Sequence, residues 1–127
     1  MIPADLSYTT QHEWVKIADG SITVGVTDHA QDALGDIVDV ELPAVGRQFA
    51  KDEEAVVVES TKAAASVYAP VGGTVTEVNA ALADDPGAVN LECYGGGWMF
   101  KLAVADEGEL ASLMDAAAYE KFLSQQD

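Results

Sequence analysis

One lysine carries a chemical possibility that the rest of the chain does not. Lys62 lies in A-V-V-V-E-S-T-K-A-A-A-S-V-Y-A-P, residues 55–70, between two apolar arms, and the 127-residue chain has only six Lys and Arg. An ammonium inside a strand core would be desolvated, which shifts its pKa or destabilises the fold. At a hairpin tip the amine stays in water. An exposed primary amine on a rigid tip can form an amide, and so can anchor a covalently carried group. Glu59, three residues earlier, keeps the tip polar, and Thr61 and Ala63 flank the lysine. Gly46 and Gly73 stand at the far ends of the two arms, where a compact hairpin needs turns. The bland alternative is an ordinary surface lysine in a turn.

Other chemistry finds little support. Ser60 sits in no G-x-S-x-G elbow, and His12 and His29 have no acid–base context, so no catalytic triad is expected. The histidines and the single Cys93 form no cluster, so no zinc or iron site is expected either. Gly95-Gly96-Gly97 precedes a strand pattern and faces no helix N-terminus, which argues against a phosphate loop. Trp14 and Trp98 read as core or core-rim residues, and Cys93 as a packed or merely exposed thiol. The net charge of −16 repels phosphate backbones and anionic lipid, which argues against nucleic-acid and membrane partners. No signal-peptide pattern or spanning apolar run is present. The chain therefore reads as soluble and intracellular, or as already processed.

The elements that must position Lys62 follow from periodicity. Residues 12–17 and 21–26 alternate about Ala18-Asp19-Gly20, a hairpin signal. T-D-H-A-Q-D-A-L-G predicts a two-turn helix near residues 28–34, capped by Thr27 or Asp28 and closed by Gly35. Residues 36–42 read as a strand ended by Pro43, and residues 43–54 as a charged turn. The run at 55–59 predicts a strand buried on both faces. Residues 63–69 and 74–79 predict two more strands. Residues 80–83 form a helical turn, and the stretch from there to Gly97 is a loop. Residues 98–104 alternate as a strand. Period 3.6 in the tail predicts C-terminal helices at about 107–124, with Asp106 and Glu109 as a capping box and Asp115 as a second cap. Together these give one mainly β domain over residues 1–127, a β-sandwich with helical trimmings.

E-S-T-K-A-A followed by Y-A-P-V-G-G resembles the lipoyl-attachment segment of the glycine cleavage system H protein family. H-E-W-V at 12–15, G-V-T-D-H-A-Q-D-A-L-G-D-I-V at 25–38, V-E-L-P-A-V-G at 40–46, E-V-N at 77–79 and Y-G-G-G-W-M at 94–99 resemble it in the same order. So does the tail L-M-D-A-A-A-Y-E-K-F-L. The resemblance runs from about Leu6 to Leu123. It implies a lipoyl/biotinyl-type β-sandwich (a barrel-sandwich hybrid) with lipoate in amide linkage to Lys62. It also implies a non-catalytic carrier of the aminomethyl group of glycine. The implied partners are a pyridoxal-phosphate (PLP) glycine decarboxylase, a tetrahydrofolate-dependent aminomethyltransferase, a flavin (FAD) dihydrolipoyl dehydrogenase and lipoylating enzymes. A monomer in a bacterial cytoplasm, or a processed chain in a mitochondrial matrix, fits that role.

The resemblance makes Glu13 a candidate partner for the ammonium of the loaded arm. The other reading of Glu13 is a simple exposed strand carboxylate. The sequence departs from the family at Ala65-Ser66, where Ser-Asp is usual, so an acid near the arm is expected to be absent. It departs again at Leu91-Glu92-Cys93, where a proline usually precedes Tyr94. A biotinyl carrier is disfavoured because Thr61-Lys62-Ala63 does not resemble Met-Lys-Met. A lipoyl-relay paralogue and an unmodified acidic interaction protein remain as alternatives.

Overall fold

Two antiparallel sheets face each other across a valine-rich core. The structure, a computed structural model, describes residues 2–125. Met1, Gln126 and Asp127, the ends of the expected 1–127 span, lie outside the described residues. The strands are β1 (Ser7–Tyr8), β2 (Glu13–Ala18), β3 (Ser21–Val26), β4 (Ile37–Glu41), β5 (Gln48–Phe49), β6 (Glu54–Ser60), β7 (Ala64–Tyr68), β8 (Gly73–Val78) and β9 (Phe100–Val104). The larger sheet has the order β1-β2-β3-β9-β8-β5 and the smaller one β4-β6-β7. Helices α1 (Asp28–Leu34), α2 (Ala81–Asp84), α3 (Ala88–Leu91) and α4 (Ala116–Ser124) decorate the sheets. None of them is long and apolar enough to cross a membrane.

Alternation sets the core. Val15, Val24, Phe100 and Leu102 of the larger sheet pack with Val56, Val58 and Val67 of the smaller one. The run at 55–59 is not buried on both faces, as the sequence suggested. Val56 and Val58 are fully buried, whereas Ala55 and Val57 are only partly so. Burying a valine side chain contributes about 1.5–3 kcal/mol. A one-residue slip of β6 would replace that inner pair with Val57 and Glu59, so the register of the lysine hairpin is fixed. A second cluster, Leu6, Tyr8, Trp14 and Tyr119, seats α4 on β1 and β2.

The helix caps follow the expected chemistry with one change. Thr27 Oγ1 accepts the Ala30 amide at 3.3 Å, and Asp115 Oδ1 accepts that of Ala118 at 2.8 Å. Asp106 caps a 3-10 helix, Glu107–Ser112. Glu109 does not complete a capping box, because its Oε1 accepts the Gly72 amide at 2.8 Å instead.

Gly73 does not form a turn. It opens β8, paired with Phe49 and Val104. A Cβ there would run into the Ala103 carbonyl oxygen, so close strand approach explains the glycine. Gly46 does sit in a turn, at φ +93° with open space around it. The expected loop from residue 84 to 97 contains α3. Two-residue β1 and β5, in stretches expected to be irregular, are too short to show periodicity.

Candidate functional site

The hairpin tip is built by a serine. Ser60 Oγ accepts the amides of Lys62 and Ala63, each at 3.1 Å, and the Ser60 amide donates to the Ala63 carbonyl at 2.8 Å. A side-chain hydroxyl thus closes a turn that lacks the Gly, Asn or Asp usual in two-residue hairpin turns. The Thr61 amide donates to the Asp36 carbonyl at 3.0 Å, which ties the tip to the corner between α1 and β4. Thr61, Lys62 and Ala63 are all exposed. The amine is free for acylation, so the residues present fit a lysine-linked group. Glu59, opposite Asp39 and Ala64 in the ladder, is exposed below the tip. Asp39, Glu41 and Glu59 bring carboxylate oxygens within 4.8 Å of one another there.

Glu13 is not an exposed strand carboxylate. It is 2% exposed. Its Oε1 accepts from Thr9 Oγ1 and its Oε2 from the Tyr68 amide, both at 2.8 Å. Tyr68 belongs to β7, an edge strand, so Glu13 covers part of the outer edge of the lysine hairpin. Burial pushes its carboxyl up to about 7. The two hydrogen bonds favour the carboxylate and oppose burial without overcoming it, and the charge on Asp52 adds to the rise. An acid whose folded value lies above its unfolded one stabilises the fold fully below about 4.5, and that stability is lost as pH rises through about 7. Glu13→Gln therefore flattens the pH dependence in that window, removing a difference of about 3 kcal/mol. Urea denaturation of both proteins at pH 5 and pH 8 checks this. Parallel curves would show that burial of Glu13 carries no such linkage.

At the first departure from the family pattern, Ser66 has an acidic neighbour on the adjacent strand. Ser66 Oγ donates to Glu54 Oε2, from the exposed start of β6. The second departure, Leu91-Glu92-Cys93, lies where the chain leaves α3 and passes under Trp14. The Cys93 carbonyl accepts the Trp14 indole N–H at 2.7 Å. The Cys93 thiol is buried and pushed up to about 11 by that burial, so it is a packed group and not a reactive one.

The structure brings Lys62, Thr61, Ala63 and Glu59 together at one end of the hairpin and places Glu13 along its edge. Gly46 and Gly73 lie in the framework away from the tip. Sequence reasoning missed Ser60 as the tip clamp, having weighed it only as a nucleophile. It also missed Asp36, whose contribution is a backbone carbonyl and leaves no mark on residue type.

Two facing antiparallel sheets with a lysine at an exposed hairpin tip fit the class of lipoyl-type β-sandwiches. The glycine cleavage H-protein family model matches residues 6–126. The chain belongs to that family. A glycine cleavage system H protein of Laribacter hongkongensis is 59% identical over 121 residues, 94% of this chain and 95% of the relative. One from Halorhodospira halophila is 53% identical over 124 residues, 97% of this chain and 95% of the relative. The crystal structure of a glycine cleavage system H protein from Mycobacterium marinum superposes with a TM-score of 0.88 at 40% identity. It covers 97% of this chain and 99% of that one.

Proposed function

We propose that this chain is the lipoyl carrier of a glycine cleavage system, a single domain that shuttles the aminomethyl group of glycine on Lys62. The exposed Lys62 amine at the clamped β6–β7 tip carries this reading. Lipoate in amide linkage there would supply a disulfide that accepts electrons and a thiol that holds the one-carbon cargo. The protein's own part is to present the arm and then shelter it. The outer edge of β7 runs from the tip toward Glu13, so an arm folded back along it would approach that carboxylate. Glu54 of the neighbouring β6, hydrogen-bonded to Ser66, supplies a second one. Glu54 is exposed and can meet the ammonium of the cargo directly, whereas Glu13 is buried and would have to open to the arm before pairing with it.

The partners are the decarboxylase that loads the arm, the aminomethyltransferase that unloads it, the flavin dehydrogenase that reoxidises it and the enzymes that lipoylate it. An acidic surface of net charge −16 fits basic docking patches on them. A long tether raises the effective concentration of the arm at each active site. A bacterial cytoplasm suits such a system.

The test is direct. Unmodified protein is incubated with a lipoate–protein ligase, lipoate and ATP, and analysed by intact mass and peptide mapping. A single lipoyl increment on Lys62 is expected. No increment, while a known lipoyl acceptor in the same tube is modified, would sink the proposal. Glycine–bicarbonate exchange with the decarboxylase then separates a shuttle from a lipoyl relay, which gives no exchange.

A further inference from the structure

The Lys62 side chain is not simply projected into water. A Cβ built on Gly35 would stand 2.7 Å from Lys62 Cε and 3.6 Å from Nζ. The aliphatic stem therefore lies across the bare Cα of Gly35, with the amine just beyond it. Gly35 closes α1 at φ +82°, ψ −155°, a conformation open to glycine alone. The corner is also held from a third element. Asn90 of α3 donates Nδ2 to the Gly35 carbonyl at 2.8 Å and to Gln31 Oε1 at 2.9 Å. Its Oδ1 accepts the Ile37 amide at 2.9 Å. The bed under the lysine is thus rigid, while the lysine itself is a flexible chain.

We propose that Gly35 is a positioning residue for Lys62, giving the lysine stem a fixed bed that sets the direction in which the amine meets the acylating enzyme. This rests on Lys62 being the attachment site. The bed limits the rotamers of an otherwise free side chain, so the amine is presented in place. A methyl group at position 35 would meet the far end of a flexible side chain. The stem swings away at little cost in contact, and what is lost is its placement. Backbone strain is a separate effect, which Gly46→Ala samples at another positive φ with nothing within 4 Å of an added Cβ, and proton–proton contacts read the placement of the lysine free of it.

Wild type, Gly35→Ala and Gly46→Ala, all unmodified, are compared as acceptors for the ligase across a range of acceptor concentrations. Gly35→Ala is expected to lose at least about tenfold in kcat/KM, toward the roughly 100-fold scale of a reacting group misplaced by about 1 Å. Gly46→Ala should stay near wild type although both variants melt lower. Equal rates for the two variants would overturn the proposal. Nuclear Overhauser contacts between the Lys62 ε-protons and the Gly35 α-protons in wild type read the placement without any enzyme. Their absence overturns it even if Gly35→Ala fails to fold. A wild type that takes no lipoate defeats the carrier reading itself, and that outcome is visible before any variant is compared.

Discussion

Lys62→Arg yields a folded protein that takes up no lipoate and supports no glycine-dependent exchange. The guanidinium keeps the charge but offers no deprotonated amine for amide formation. Lys62 is exposed, and nothing buried depends on it, so stability should stay within about 0.5 kcal/mol of wild type. The other lysines are poor substitutes. Lys51 donates to Ser112 Oγ at 3.1 Å, and Lys101 pairs with Glu77 at 3.5 Å and lies over the Trp98 ring. Lys16 projects from the middle of β2 and Lys121 from α4. None stands at a hairpin tip, where a modifying enzyme can enclose the amine. Intact mass and the exchange assay read the result together. A lipoyl increment retained by the arginine variant would move the attachment site elsewhere.

Tyr119→Ala should cost about 3–5 kcal/mol, the range for deleting a buried aromatic side chain. Tyr119 is fully buried and stacks on Tyr8 with ring centroids 4.7 Å apart. Its hydroxyl lies 2.8 Å from His12 Nδ1 and 2.9 Å from Thr27 Oγ1. Thr27 caps α1, and α1 ends in the corner under Lys62, so the loss reaches the site through a capped helix. Tyr119→Phe keeps the ring and removes only the hydrogen bonds, for which about 1–2 kcal/mol is expected. Denaturant melts of the pair measure both values. A loss below about 1 kcal/mol for the alanine variant would mean that α4 contributes little to the folding unit.

The strands that carry the core were legible because alternation survives in sequence. β3 and β9 announce themselves through Ile22, Val24 and Val26, and through Phe100, Leu102 and Val104, at every second position. The exposed lysine was legible too, since an ammonium has few places to go. What escaped was whatever rests on backbone atoms or on pairing between distant strands. Asp36 supports the tip with its carbonyl, and Gly73 is required by the carbonyl of Ala103 across a strand pair. Glu13 looked exposed because a carboxylate at a strand start usually is. Only the edge of β7 folding over it supplies the amide that makes burial tolerable. Glu54 and Ser66 are twelve residues apart, and only the hairpin register makes them neighbours. The lipoyl assignment came from resemblance to a family, since no periodicity names a cofactor.

Each open border of the two sheets is closed by a different device. β1 is bridged to Met114 through amide–carbonyl bonds of 2.7 and 2.8 Å, and β5 is only two residues long. β4 carries an irregularity between Ile37 and Asp39 and exposes Asp39 and Glu41, and β7 gives its Tyr68 amide to Glu13. Among the described residues, a visiting enzyme therefore finds no long uninterrupted border on which to lay a strand. Short borders of this kind favour contact through side chains and the tip. On the proposed carrier role, short residence on each enzyme is the useful property, and the interrupted borders favour it.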